Sequence, residues 1–87
     1  PQEVEQCIIT HPKVLEVAVV GTPDPNWGEV VTAFIVGKNN FNNIEEIQEH
    51  CRNFLGGYKI PRRVFFVEAL PKTHVGKIDK KRLLMNT

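Results

Sequence analysis

The fold of this 87-residue chain is decided by one apolar stretch, VLEVAVVG, at residues 14–21. β-branched and apolar residues fill the stretch and Gly21-Thr22-Pro23 bounds it, which predicts a β-strand. The turn-forming residues Asp24-Pro25-Asn26 follow, and a second apolar run then occupies residues 29–37. Because the connection is short, these two strands are predicted to pair antiparallel.

Apolar residues at helical spacing predict a helix on each side of the strand pair. The first covers residues 2–11 and ends before Pro12; its buried face consists of Val4, Cys7, Ile8 and His11. The second begins after the N-cap residue Asn43 and stops at Gly56-Gly57; its apolar face consists of Ile44, Ile47, Cys51 and Leu55.

The remaining elements are short. Residues 64–67 predict a third strand, and the stretch after Ile78 is predicted to turn helical, with Leu83 and Leu84 as its apolar contacts. Together the segments predict a single α+β domain over residues 1–87. A small three-stranded sheet is packed with helices in the order α, β, β, α, β, loop, α.

Composition excludes several classes of protein. A hydrophobic content of 41% and a charged content of 24% are ordinary for a globular domain, and no membrane span is predicted. The chain opens at Pro1 without methionine or signal-peptide features, so we expect a piece of a longer protein. Cys7 and Cys51 lie at positions typical of buried free thiols, which favours a reducing, cytoplasmic environment over a disulfide. No tight Cys/His spacing occurs, and no metal site is predicted.

The formal net charge of +1 hides an asymmetry along the chain. Residues 1–58 hold three basic and eight acidic side chains, whereas residues 59–87 hold eight basic and two acidic ones. This predicts an anion-attracting surface, with phosphate groups as its natural partner. A small nucleic-acid-binding module is one alternative, although no recognition helix, aromatic RNA-binding pattern or finger spacing supports it, so no nucleic-acid partner is expected.

One lysine stands out in the run Leu70-Pro71-Lys72-Thr73-His74-Val75-Gly76-Lys77-Ile78. Pro71 stiffens the approach and Gly76 permits a tight or positive-φ backbone, so the loop presents the ammonium group of Lys77. Such a presentation suits a lysine that reaches a phosphate or carboxylate. The alternative is an ordinary loop lysine in solvent.

Three runs occur in a characteristic order: Asp24-Pro25-Asn26-Trp27-Gly28-Glu29, then Tyr58-Lys59-Ile60-Pro61-Arg62, then the lysine loop. In this order they resemble the C-terminal domain of the adenylate-forming (AMP-binding) enzymes, acyl-CoA synthetase type, over essentially all 87 residues. The resemblance implies a lid domain whose partner is its own large N-terminal domain, absent here, which binds the carboxylic acid, ATP and Mg²⁺. It also implies a ligase of fatty acid metabolism that forms acyl-AMP with pyrophosphate release and then the coenzyme A thioester. The isolated chain is then expected to be inactive.

The resemblance also implies roles for particular residues. Lys77 matches the catalytic lysine of the family, and the residues that match cofactor-binding positions for ATP or coenzyme A are Trp27, Tyr58, Lys59, Arg62 and Gly76. Ile60 departs from relatives that carry arginine there. Trp27 could instead plug the end of the sheet, and Tyr58 could pack under the loop. His11 and His50 are interpreted as helix-surface or cap residues, and His74 as a solvated loop residue.

The acceptor of the acyl group stays open between two classes. A nonribosomal peptide synthetase adenylation domain would hand the group to a carrier protein, whereas an acyl-CoA synthetase uses coenzyme A. Met85-Asn86-Thr87 is typical of a chain end and favours the synthetase.

Overall fold

The computed structural model describes residues 2–85, apart from the side chain of Tyr58. Within that part the elements are α1 (Gln2–Ile9), β1 (Val14–Asp24), β2 (Gly28–Gly37), α2 (Ile44–Arg52), β3 (Arg63–Phe66) and α3 (Lys80–Met85). Short 3-10 turns at Lys38–Asn40 and Gly57–Lys59 precede and follow α2. The predicted α+β class and element order are confirmed.

The three strands form one mixed sheet in the order β1-β2-β3. β1 pairs antiparallel with β2, as predicted, and β3 pairs parallel with β2. β1 continues through Pro23 to Asp24 and does not stop at Gly21. Proline is tolerated there because one side of β1 has no strand partner and needs no backbone donor.

The helix boundaries follow local chemistry. The Asn43 side chain accepts a hydrogen bond from the Glu46 amide at 3.0 Å, which confirms the predicted N-cap of α2. α1 ends at Ile9, where the chain tightens and the His11 amide donates to the Ile8 carbonyl at 2.9 Å before Pro12. Two predicted apolar contacts, Ile44 and Leu84, are 39% and 43% exposed.

One face of the sheet packs against α1 and α2. Ile8, Ile35 and Ile47 are fully buried there, each worth about 1.5–3 kcal/mol of transfer free energy. The other face is covered by the C-terminal segment. Leu70 and Leu83 are each 5% exposed and pack against Phe34 on that face. The segment that contains Lys77 is therefore anchored in the core at both of its ends.

His11 lies beside α2 and is only 6% exposed, which agrees with its predicted place on the buried face of the first helix. Its interpretation as a surface or cap residue is wrong. Its Nδ1 accepts a hydrogen bond from the Lys13 amide at 3.0 Å, so the proton sits on Nε2, 2.8 Å from Glu46 Oε2. His50 is half-buried, with Nε2 3.0 Å from the Cys7 carbonyl. Packing of α1 beside α2 accompanies the burial of these rings.

Candidate functional site

The Lys77 loop is a closed turn. Lys72 and Ile78 form an antiparallel bridge across its base, and the Thr73 amide donates to the Lys77 carbonyl at 2.7 Å. The Gly76 amide donates to the Thr73 carbonyl at 2.9 Å, with Gly76 at φ +86°. The predicted positive φ of Gly76 is therefore observed, and it is what allows the turn to close.

The Lys77 side chain is exposed, and no hydrogen bond or ion pair to its ammonium group occurs within residues 2–85. Just beyond the turn, the Asp79 amide donates to the Pro71 carbonyl at 2.8 Å and Asp79 Oδ1 accepts from the Arg82 amide at 3.2 Å. Asp79 therefore caps the start of α3 and closes the loop. The result is a cation on a structured support, available to an anion from outside this chain. A role for Gly76 in cofactor contact stays a prediction.

Trp27 lies on the tight turn between β1 and β2. Asp24 Oδ1 accepts hydrogen bonds from the Asn26 amide at 2.9 Å and the Trp27 amide at 3.1 Å. The Asn26 bond, with the Trp27 bond and the charges of Arg63 and Arg62, lowers the pKa of Asp24 below its usual value. Trp27 is 64% exposed, so it does not plug the sheet. The Arg62 guanidinium stands over its ring, 4.3 Å from the centroid.

Arg62 also belongs to a polar hollow of about 340 Å³, whose lining is completed by Gln48, Arg52, Gly57, Ile60 and Pro61. Arg52 and Arg62 thus both line one concavity, and guanidinium groups are donors suited to phosphate; Arg52 Nη1 also lies 2.9 Å from Glu49 Oε2. Sequence reasoning did not select Arg52, because the charge count assigned it to the acidic part of the chain. Its position in the last turn of α2, shortly before Gly56-Gly57, was the available signal.

The other residues predicted from the Tyr58 to Arg62 run are placed differently. Lys59 Nζ lies 2.8 Å from Glu3 Oε2 and ties its turn to α1. The Tyr58 side chain lies outside the described part of the structure. No hydrogen bond, ion pair or ring contact joins Trp27 or Arg62 to Lys77 within residues 2–85. The fold therefore contains two separate candidate regions, the Lys77 loop and the Trp27–Arg62 surface.

Pairing across the fold reduces the basic surface that the sequence predicts. Four of the eight cations after residue 58 form ion pairs with carboxylates from the first part of the chain: Lys59 with Glu3, Arg63 with Asp24, Lys72 with Glu16 and Lys80 with Glu5. Anion attraction therefore concentrates at fewer sites than the charge count implies.

Other site classes find little support in the described residues. No group of three or more His, Cys, Asp or Glu side chains among them is placed to hold a metal ion. None of the helices described is long and apolar enough to cross a membrane. Cys7 and Cys51 are free thiols, and burial raises the pKa of Cys51 to about 12 and that of Cys7 above its usual value.

Comparisons with known proteins agree on one family. The family model of the AMP-binding enzyme C-terminal domain matches residues 3–77. The acyl-coenzyme A synthetase ACSM1, mitochondrial, of Homo sapiens is 48% identical over 95% of this chain, which corresponds to 15% of that protein. A structure of a Mycobacterium tuberculosis fatty acyl CoA synthetase superposes with a TM-score of 0.94 at 43% identity over 99% of this chain, 17% of its own. A structure of ATP-bound MatB from Rhodopseudomonas palustris gives a TM-score of 0.92 at 32% identity, again over 99% of this chain and 17% of its own.

Proposed function

Because the chain belongs to the AMP-binding enzyme C-terminal domain family, we propose that it is the lid domain of an ATP-dependent acyl-CoA synthetase. The full protein activates a carboxylic acid as acyl-AMP, releases pyrophosphate and then forms the coenzyme A thioester. The acid, ATP and Mg²⁺ bind to a large N-terminal domain outside this chain. Two observations support this proposal. Similar proteins include acyl-CoA synthetases, and this chain spans only 15% to 17% of the length of the proteins compared above.

The observation that carries the proposal is the ammonium of Lys77, which stands on a closed turn with no partner among residues 2–85. When the acid carboxylate attacks the α-phosphorus of ATP, negative charge grows on the phosphate oxygens and on departing pyrophosphate. A lysine delivered into a water-poor cleft neutralises that charge far better than in bulk solvent. Lys77 acts as a point charge and exchanges no proton in this step.

The Trp27–Arg62 surface is proposed to contact coenzyme A in the second step. The exposed indole of Trp27 offers a ring to the adenine of coenzyme A, and Arg62 offers a guanidinium group to the phosphates. Arg52 adds a second guanidinium, which must then share its charge with Glu49. Tyr58 and Lys59 are assigned to the same contact, although Lys59 must then share its charge with Glu3.

Two alternatives find less support in the fold. The first is a carrier protein as acyl acceptor, as in nonribosomal peptide synthetases. A carrier protein brings no nucleotide, so this alternative gives no role to the hollow that Arg52 and Arg62 line. Nucleic-acid binding relies on many unpaired cations, and half of those in the basic part of the chain are paired internally. A cytoplasmic location is part of the proposal and is supported by the two free thiols.

The test is carried out on the full-length protein with Lys77→Ala. We expect acid-dependent pyrophosphate release to fall by roughly 10²-fold or more, while thioester formation from pre-made acyl-adenylate is largely preserved. Lys81→Ala is the matched control, since Lys81 is an exposed lysine shortly after the loop. Unchanged pyrophosphate release in Lys77→Ala would show that Lys77 is an ordinary solvent-exposed lysine with no role in this step. Activity of the 87-residue chain alone would also contradict the proposal.

The coenzyme A contact is tested separately. Arg52→Gln and Arg62→Gln are expected to raise the KM for coenzyme A and to leave pyrophosphate release unchanged. Using 3′-dephospho-coenzyme A as substrate is expected to remove most of the difference from wild type. An unchanged KM for coenzyme A in both variants would show that the hollow does not contact coenzyme A.

A further inference from the structure

The lysine loop is held at both ends by ion pairs to the first part of the chain. Lys72 Nζ lies 2.9 Å from Glu16 Oε1, and Lys80 Nζ lies 2.7 Å from Glu5 Oε2. Lys77 lies between these two lysines. Ile78, beside it, lines a shallow hollow together with Glu5 and Glu16, so the base of the loop rests against α1 and β1.

Glu5 is a preorganised partner. Its Oε2 also accepts a hydrogen bond from the Val19 amide at 2.7 Å, on the side of β1 that has no strand neighbour. The carboxylate therefore connects α1, the edge of the sheet and the start of α3, and its side chain is only 24% exposed. A carboxylate already positioned by the backbone loses little freedom when a lysine pairs with it, so this pair has a lower entropic cost than a typical surface pair.

Glu16 lies at an irregularity in β1. The register between β1 and β2 shifts between Val14 and Glu16. Such shifts change the direction in which a side chain leaves the strand. Glu16 pairs with Lys72 before the turn and Glu5 pairs with Lys80 after it, so the two pairs restrain both stems of the turn.

The two ion pairs also determine which lysine of the loop stays available to an external anion. Residues 70–80 contain three lysines, and Lys72 and Lys80 are neutralised by their glutamates while Lys77 is unpaired among the described residues. Catalysis by a positioned cation falls steeply when that cation is displaced by as little as an ångström. We propose that Glu5 and Glu16 are positioning residues for the acyl-AMP-forming step, acting through Lys80 and Lys72 to hold Lys77 in place. This inference rests on the proposed function of Lys77.

The test uses Glu5→Gln and Glu16→Gln in the full-length protein, each alone and together with Lys77→Ala. Each single variant is expected to lower the kcat of pyrophosphate release about 2- to 5-fold, and the pair about 10-fold. Thioester formation from pre-made acyl-adenylate is expected to stay at the wild-type rate. In the Lys77→Ala background neither glutamine adds a further loss, because both act through Lys77.

Two further variants separate positioning from stability. Exchanging the charges, with Glu16→Lys and Lys72→Glu in one protein, is expected to restore most of the lost rate. Glu45→Gln, which removes an exposed glutamate of α2, is expected to leave both half-reactions unchanged. Equal losses in both half-reactions, or losses that add fully to that of Lys77→Ala, would overturn the inference.

The outcomes also distinguish this inference from the function on which it rests. An impaired Lys77→Ala alongside unchanged Glu5→Gln and Glu16→Gln would overturn the inference alone. A silent Lys77→Ala would overturn both.

Discussion

Replacement of Gly76 by alanine tests the backbone of the lysine loop most directly. Gly76 has φ +86°, and a Cβ added there would meet no atom within 4 Å. The alanine therefore adds no clash, and its cost is the strain of a left-handed backbone, about 1–2 kcal/mol for an L-residue. Part of this is offset, because alanine also restricts the unfolded chain by about 0.4–1 kcal/mol.

A matched control removes the contribution of the unfolded chain. Gly57→Ala also meets no atom of the described, non-adjacent residues within 4 Å, but Gly57 begins a 3-10 turn and its φ is not in the positive range. The difference in unfolding free energy between the two variants is then the strain alone, about 1–2 kcal/mol. Gly28→Ala, at φ +77° with equally open space, is expected to resemble Gly76→Ala.

The assay is urea unfolding of the chain, with wild type and the three variants compared at constant m-value. For a domain of this size, 1 kcal/mol corresponds to a shift in Tm of about 4–8 °C, so thermal scans provide a second measurement. Gly76→Asn is expected to recover part of the loss, because asparagine tolerates this region of the backbone. Equal stability of Gly76→Ala and Gly57→Ala would refute the positive φ and the closed form of the turn.

Three further expectations concern the rest of the domain. Burial of Cys51, with its pKa at about 12, predicts that iodoacetamide leaves this thiol unlabelled at pH 8 in the native protein and labels it in guanidinium; rapid native labelling would contradict the packing. Thr32→Val breaks the buried hydroxyl pair with Thr22 (2.6 Å) and is expected to cost about 1–2 kcal/mol in urea unfolding; a neutral result would show that the pair contributes nothing. The pKa of Asp24 is lowered on folding, mainly by its bond from the Asn26 amide, so its ionised form stabilises the fold above the ordinary value of 3.8 and that stability is lost as pH falls through the lower folded pKa. Asp24→Asn should therefore flatten the acid side of the stability curve, and an unchanged acid slope would argue against this linkage.

Local patterns were sufficient for most of the fold. Apolar, β-branched runs and turn residues predicted β1 and β2, and Asn43 predicted the start of α2, because each depends on neighbours in the chain. The continuation of β1 through Pro23 and the parallel direction of β3 were not predicted, since both depend on which strand occupies the sheet edge. Helical spacing placed His11 on a buried face, whereas its interpretation as a surface or cap residue was wrong, because its partner Glu46 comes from α2.

The candidate site divides in the same way. The Gly76-Lys77 turn was predictable because its geometry is local, and the observed positive φ agrees with the expectation. The approach of Arg52 to Arg62 in one hollow was not predicted, because the residues belong to different elements.

The sequence by itself determined the periodicity of the elements, the turn that presents Lys77 and the resemblance to adenylate-forming enzymes, since each can be identified from short runs of residues along the chain. Only the tertiary structure decided which charges remain available to a ligand. Lys59 pairs with Glu3, and Lys80 with Glu5, although the partners in each pair are far apart along the chain. Coulomb interactions depend on distance in space, so a charge count along the sequence overstates the basic surface until folding brings the carboxylates into contact.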